Sequence, residues 1–393
     1  MGQAVIAGGG IGGLTAALAL HHFGWQAIVC EQAKAISEVG AGIQISPNGM
    51  KVLRKLGLEP QVLAAGFQPR AAEFRGGRSG RLLLRQPMTG YDAKYGAPYV
   101  HIHRADLIAL LQQAVETRMP GAISTGIKIT GYDQDADTVR AILADGSQVT
   151  GDVLVGADGI HSVIRGQMLG PEKPRFTGHV AWRAVVPVAR LGSHMPEPAA
   201  TVWFGENKHA VTYLLRGGEL ANFVGVVERD DWRSESWTEQ ASRDEALMDF
   251  AGWHPVITTL IEKAEAHYRW ALFDRKPLKQ WSYGRVALLG DACHPMLPFM
   301  AQGAVQAMED GYALAQALAG SDAPERALSG YFTRRRDRTA RVQMAARRNA
   351  ELFHQKTPLG KLQNHGPMIA ADRLKLDVAD RRLAWLYGHD VTA

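Results

Sequence analysis

Residues 3–31 read QAVIAGGGIGGLTAALALHHFGWQAIVCE. Gln3 to Ala7 is a short apolar run and predicts a strand. Leu14 to Phe23 is rich in Ala and Leu and predicts a helix, with Gly24 placed for a left-handed cap. Ala27 to Cys30 is a second apolar run, closed by Glu31. Strand, helix and strand make a βαβ start. Between the first two elements, Gly8, Gly10 and Gly13 stand in the pattern G-x-G-x-x-G. Gly8 permits a tight turn, Gly10 lets the backbone approach a pyrophosphate, and Gly13 allows close helix–sheet packing. The helix N-terminus offers free N–H groups and its positive dipole end. Glu31 follows about twenty residues on, where a carboxylate can accept ribose hydroxyls. The glycines alone leave FAD and NAD both open.

The same α/β grammar returns near the C-terminal end. Val286 to Leu289 predicts a buried strand that turns at Gly290-Asp291. The chain then runs through Ala292-Cys293-His294-Pro295 and Pro298 to Gly303, where a helix to Leu318 begins. An Asp at a strand end can accept hydrogen bonds from a polyol chain. A helix opening at Gln302-Gly303 can turn its N–H groups towards a flavin carbonyl. This second feature favours FAD, as does Gly40-Ala41-Gly42 followed by a helix from Pro47 or Asn48 to Leu56.

Between these ends, residues 104–118 predict an amphipathic helix. Residues 127–155 predict a meander turning at Asp145-Gly146, whose last strand enters Gly156-Ala157-Asp158-Gly159. From about 176 to 275 strands dominate: His179–Val188, Thr201–Phe204, His209–Leu215 and Asn222–Val227. Helices are expected near 241–251 and 255–265. This segment holds Trp182, Trp203, Trp232, Trp237, Trp253 and Trp270, mostly expected in the core. Residues 323–356 read as a charged helix, and residues 357–393 read as neither clearly ordered nor clearly an interaction tail.

The bulk properties narrow the class. The chain has 393 residues, 46% hydrophobic and 21% charged, which suits two domains or one elaborated one. The net charge is 44 − 39 = +5, without a basic block interleaved with aromatics, so no nucleic-acid partner is expected. Arg334, Arg335, Arg336, Arg338 and Arg341 are read as a solvated or salt-bridged helix face. Two cysteines, Cys30 and Cys293, make no disulfide framework. No metal site is expected: His294 lacks a second ligand nearby in sequence, and His101 and His103 read as structural or as packing near a flavin edge. No G-x-S-x-G nucleophile elbow occurs. The N-terminal apolar run follows no basic residue and is too short to span a bilayer, so a cytoplasmic protein without membrane attachment is expected.

Three motifs in order across residues 4–341 carry a resemblance. They are Gly8–Gly13 with Glu31; Gly156-Ala157-Asp158-Gly159 with His161, Ser162 and Arg165; and Gly284-Arg285 through Gly290–Pro295, with Pro298, Gly303 and Glu309-Asp310. In these the chain resembles the single-component FAD-dependent aromatic hydroxylases, the p-hydroxybenzoate hydroxylase-like flavoprotein monooxygenases. The resemblance implies an α/β fold. A Rossmann-like FAD-binding domain, discontinuous in sequence (1–70, 100–175 and 276–356), would join a β-sheet substrate domain (71–99 and 176–275). C-terminal helices would follow, with 357–393 as a tail.

The same resemblance implies FAD as cofactor, held by Gly8, Gly10, Gly13, Glu31, Gln32, Gln44, Arg104, Asp158, Asp291 and Gly303. NADH or NADPH would be the reductant, O2 the oxidant and a small aromatic acid the substrate, in a monomer or homodimer. Oxygen transfer would pass through a flavin C4a-hydroperoxide. Within the family the chain looks closest to the salicylate, 3-hydroxybenzoate and 6-hydroxynicotinate hydroxylases. There a His and a Tyr four residues apart line the substrate pocket, and His209 and Tyr213 match them. Positions i and i+4 of a strand share a face, so both could meet one phenol, His209 as its base. The bland reading of the pair is a satisfied sheet histidine and a packed tyrosine. For Arg104 it is a surface residue at a helix start. Gln44 stands where hydroxynicotinate enzymes tend to carry His, and Phe299 where they place a polar residue, so the aromatic acid stays open. A flavin epoxidase, dehydrogenase or oxidase of a non-aromatic compound, or a non-enzymatic flavin module, are the alternatives.

Overall fold

The computed structural model describes residues 2–36, 41–229, 241–354 and 357–393. Gly40, Trp232 and Trp237 lie outside these residues.

The glycine-rich βαβ start forms the centre of a six-stranded sheet. Its order is Ser282–Tyr283, Val286–Leu288, Val153–Gly156, Gln3–Ala7, Gln26–Glu31 and Ile123–Thr125. All neighbours are parallel except the outermost Ser282–Tyr283. Val5 pairs with Leu154 on one side and Ile28 on the other. Ala4 to Ala7 are all buried, so both faces of this strand are covered, which is why its run is continuously apolar rather than alternating. The helix Ile11–His22 is buried along nearly its whole length, wedged among the sheet, Arg104–Arg118 and Gly303–Ala319. Gly311 lets the last of these approach, since a Cβ there would stand 2.9 Å from the Ala16 nitrogen. Gly24 takes φ +83° after the helix, as expected.

The meander Ile129–Gln134, Val139–Leu143 and Gln148–Gly151 forms a three-stranded antiparallel sheet, with Gly146 at φ +85° in its turn. Gly42–Ile45 pairs antiparallel with Val100–His103.

The second large sheet has seven strands: Tyr268–Asp274, Arg175–Pro187, Leu220–Glu228, Lys208–Leu215, Ala200–Phe204, Ala71–Gly76 and Leu82–Pro87. Only Ala200–Phe204 and Ala71–Gly76 run parallel. Period-2 alternation decides what each face does. Trp182, Ala184, Ala210, Leu214, Phe223 and Val227 point into a core closed by the helices Arg243–Asp249 and Pro255–Lys263. Arg183, His209, Val211, Tyr213, Val224 and Val226 point the other way, into a cavity.

Residues 357–393 contain two helices, Pro358–Arg373 and Val378–Tyr387, after the thirty-residue helix Pro324–Phe353. Asp377 and Asp380 pair with Lys94, and Asp380 also accepts from the Tyr91 hydroxyl. The C-terminal end is therefore anchored to the segment after the strand Leu82–Pro87.

The arginine run on the long helix divides: Arg334, Arg336 and Arg341 are exposed, whereas Arg335 and Arg338 turn inward to carboxylates. Arg335 is fully buried and pairs with Glu309 and Asp310, Arg338 also binds Glu309, and Arg341 stacks 3.8 Å over the Trp385 ring. The cause is the Glu309-Asp310 pair buried on the facing helix, which demands compensating cations.

Among the described residues, no helix is long and apolar enough to cross a membrane. Cys30 and Cys293 are both buried thiols.

Candidate active site

One cavity of about 790 Å3 runs from the glycine loop, past Asp291 and Gly303, to the open face of the seven-stranded sheet. That size falls within the range of cofactor and ligand sites.

At the nucleotide end, two of the three glycines are demanded by the protein itself. Gly8 has φ +108°, and a Cβ there would lie 2.5 Å from the Ala157 carbonyl. A Cβ on Gly13 would lie 2.0 Å from the Gly8 carbonyl. Gly10 differs: a Cβ there would meet nothing within 4 Å, and the residue lines the cavity at the helix N-terminus. Its smallness serves something other than the protein's own packing. Glu31 ends the adjoining strand and accepts the N–H groups of Gly9 (2.7 Å) and Ala33 (2.8 Å), which fixes its carboxylate beside the loop. Gln32, next in the chain, is exposed and does not line the cavity.

Asp158 does not line the cavity either. One of its oxygens accepts the N–H groups of Val163 (2.8 Å) and Ile164 (3.3 Å) at the start of the helix Val163–Leu169. Burial raises its carboxyl, against these hydrogen bonds. These contacts occupy Oδ2, while Oδ1 is buried without a hydrogen-bond partner among the described residues. Its neighbours Ala157 and Gly159, rather than Asp158, line the cavity.

The middle of the cavity is built by a buried ionic network. The Gly290 N–H donates to Asp310 (3.0 Å), and His294 meets the same carboxylate oxygen. Asp310 and Glu309 share Arg335, while Glu309 also takes Arg338 and the Asn48 amide. Burial alone would raise both carboxyls, yet His294 and Arg335 hold Asp310 low, and Arg335 and Arg338 hold Glu309 low. The fold thus brings His294 a carboxylate that sequence order conceals. That carboxylate is already committed to Arg335 and Gly290. The network pins both ends of the segment from Gly290 to Gly303, presenting Asp291 and the helix start to the cavity. Asp291 makes no hydrogen bond to the described protein and opens on the cavity. Low-polarity surroundings raise its carboxyl, opposed by His294 and by Arg104. Arg104 begins the helix Arg104–Arg118 and lines the same wall, so it is not an outer-surface residue.

At the sheet end, His209 and Tyr213 share the cavity face of one strand, both buried. His209 sits edge-on between Phe299 and Phe353, each with ring centroids 5.0 Å away. Its Nδ1 lies 2.6 Å from His354 Nε2, and His354 Nδ1 lies 3.0 Å from a Glu228 oxygen. Burial, then the neighbouring His354 and His179, push the His209 imidazole well below the usual histidine range, so it stands neutral at pH 7. Tyr213 packs on His101, with ring centroids 4.7 Å apart, and burial raises its phenol, against the nearby Arg183 charge. A Cβ on Gly42 would lie 2.5 Å from the Tyr213 ring, and the Gly42 N–H donates to Asn222. Gly42 is therefore the point where the strand Gly42–Ile45 closes onto the substrate sheet. Gln44 lines the cavity and accepts from the Tyr99 hydroxyl at 2.7 Å.

Arg183, stacked 3.9 Å over Trp270, also faces this end, as do Arg348 and Arg382. Sequence reading missed all three. The available signal was Arg183 itself, a cation within the otherwise apolar run 180–187.

These features define a flavin-dependent oxidoreductase scaffold. Gly10 leaves room for a pyrophosphate, Asp291 offers an uncommitted carboxylate to a polyol, and a helix start faces the junction with a second, aromatic-lined chamber. FAD fits the residues present. Comparison with known proteins agrees: the FAD binding domain family matches residues 1–346, and the chain belongs to the family of FAD-dependent aromatic monooxygenases. It is 37% identical over 388 residues to the 3-amino-4-hydroxybenzoate 2-monooxygenase of Streptomyces platensis, covering 98% of this chain and 95% of that one. It is 38% identical over 360 residues to the 6-hydroxynicotinate 3-monooxygenase of Pseudomonas fluorescens, covering 90% and 92%. The crystal structure of Klebsiella pneumoniae HpxO with FAD and uric acid superposes with a TM-score of 0.86 at 28% identity, covering 97% of each chain.

Proposed function

We propose that this chain hydroxylates a phenolic aromatic acid at the expense of NADH or NADPH and O2. One oxygen atom enters the ring C–H bond and the other leaves as water. The observation that carries the reading is the shared face of His209 and Tyr213. Both look into a chamber continuous with the Asp291–Gly303 wall. Bound FAD would supply hydride acceptance and oxygen activation.

The chain's own residues supply the rest. Gly10, Glu31, Arg104 and Asp291 would hold FAD, and the Gly303 helix start would favour negative charge beside it. Neutral His209 takes the phenolic proton, which makes the ring electron-rich. Tyr213 orients the phenolic oxygen. Arg183 lines the same chamber, its charge reaches the Tyr213 phenol, and it anchors the substrate carboxylate. Phe299, Trp270 and Met296 exclude water from the chamber. The relatives named above act on a hydroxybenzoate and a hydroxynicotinate, which supports a ring bearing both hydroxyl and carboxylate.

The test is to screen hydroxybenzoates and hydroxypyridine carboxylates for stimulated NAD(P)H consumption by the FAD-loaded enzyme, with product identification. At least one acid should give a ring-hydroxylated product, and His209→Gln should cut its kcat by about 100-fold or more. Equal turnover by the variant would remove His209 as base, and stimulated consumption without an oxygenated product from any acid would remove the hydroxylase reading.

A further inference from the structure

The buried position of His209 raises a problem that the rest of the sheet answers. A base surrounded by Phe299, Phe353 and apolar strand neighbours cannot keep a proton cheaply. It must pass the charge on. The titratable groups packed around it are His354 and His179, with Glu228 beyond them.

The hydrogen bonds fix the direction. A carboxylate only accepts, so His354 Nδ1 carries the hydrogen that meets Glu228. In neutral His354, Nε2 is then the acceptor. The 2.6 Å contact therefore requires His209 Nδ1 to donate. That leaves His209 Nε2 with its lone pair for the cavity, the tautomer a base needs. His354 is also the residue that ends the thirty-residue helix Pro324–Phe353. A helix C-terminus favours positive charge there. Glu228 reaches a separate cleft at the protein surface, lined by Glu206, Asn207, Lys208 and Arg229.

We propose that His354 and Glu228 form, with His209, a relay that carries the substrate's phenolic proton from the buried chamber to the surface cleft. This inference rests on the reading of His209 as base. The phenolic O–H bond breaks as His209 Nε2–H forms. The His209 Nδ1 proton moves to His354 Nε2, and the His354 Nδ1 proton moves to the Glu228 carboxylate, which releases it to solvent. Running backwards, the same chain returns a proton to the product oxygenate and restores both tautomers. His354 and Glu228 touch neither substrate nor cofactor in this scheme; they are positioning and relay residues.

The experiment compares FAD-loaded wild type, His209→Gln, His354→Gln and Glu228→Gln. The probes are 3-hydroxybenzoate for turnover and 3-hydroxy-4-nitrobenzoate for spectroscopy, because its phenolate absorbs in the visible. Both relay variants should lose about tenfold in kcat at pH 7 with KM within about twofold. The deficit should close as pH rises towards the phenol's own pKa near 10, because the ionised substrate needs no relay. Without reductant, the phenolate band of the bound nitrophenol should appear about tenfold more slowly after an upward pH jump in both variants than in wild type.

A loss equal at every pH, with the phenolate band appearing as fast as in wild type, would reduce the pair to packing and overturn the relay. Unchanged kcat in Glu228→Gln, the near-isosteric variant that keeps the arm testable if His354→Gln fails to fold, would overturn it too. If His209→Gln keeps full turnover, or wild type binds neither probe and hydroxylates no phenolic acid, the underlying function falls first, and the relay with it.

Discussion

Gly10 precedes the helix Ile11–His22 and Gly13 lies in its first turn, yet the structure gives them opposite reasons to lack a side chain. A methyl on Gly13 collides with the Gly8 carbonyl at 2.0 Å, so Gly13→Ala must displace either the helix or the turn. A methyl on Gly10 meets no protein atom within 4 Å. Gly10→Ala should therefore leave apoprotein stability within about 0.5 kcal/mol of wild type, while weakening FAD binding about tenfold or more, roughly 1.4 kcal/mol. Gly13→Ala should destabilise the apoprotein itself by several kcal/mol, on the scale of a backbone clash in a packed turn. Denaturant melts of the apoprotein and fluorescence titration with FAD separate the two. A Gly10→Ala protein that binds FAD like wild type would move the pyrophosphate off this loop. His209 poses the same kind of question, since it is both a well-packed sheet residue and the proposed base. Only its pH profile distinguishes these roles.

At the level of elements, the helix Gly303–Ala319 does two jobs that pull on different residues. Its first turn presents N–H groups to the cavity, while Glu309 and Asp310 further along tie the Gly290 turn to the arginines of the long helix. Removing one partner from a buried ion network costs about 3–5 kcal/mol, because the remaining charge is left without compensation. Arg335→Met should lower stability by that amount in urea melts and, by loosening the Gly290 turn, weaken FAD binding as well. A variant that melts like wild type would show the network to be dispensable.

Legibility in the sequence follows the same division. The strand–glycine–helix start, the meander and the strands from 176 onward were readable because each carries its period and its turn residues within a few positions. The strand Lys208–Leu215 was readable even to the face on which His209 and Tyr213 lie. The burial of Arg335 and the contact of His209 with His354 were not, since each depends on a partner supplied by a distant element. The helix Pro358–Arg373 was hidden for another reason: Gly366-Pro367 interrupts it, and its Pro367 argues locally against a helix. Pro367, Met368 and Ala371 of this helix line the cavity.

For the whole molecule, the buried neutral histidines set a limit at acid pH. Burial lowers His101 to about 3 and lowers His103 and His209 as well, so all three stay uncharged in the fold at neutral pH. In the unfolded chain each titrates near 6.5. Above that value both states are neutral and the shift costs nothing. As pH falls below about 6.5 the unfolded chain takes up protons that the fold refuses, so stability declines. For His101 alone the difference reaches about 2 kcal/mol by pH 5 and stops growing only below about pH 3. Asp310 adds to the loss lower down. His294 and Arg335 hold its folded carboxyl below the unfolded value against burial, so its contribution is present above about pH 4 and disappears as pH falls through its folded pKa. Thermal melts should therefore show a plateau from about pH 7 to 8 and a falling midpoint from pH 6.5 downward. In His101→Phe, which keeps a ring against Tyr213 without a titrating nitrogen, the slope between pH 6.5 and 5 should be shallower. A wild-type midpoint that stays flat to pH 5 would mean that His101 is charged in the fold. The neutral, dry strand pair on which the proposed base chemistry depends would then need another explanation.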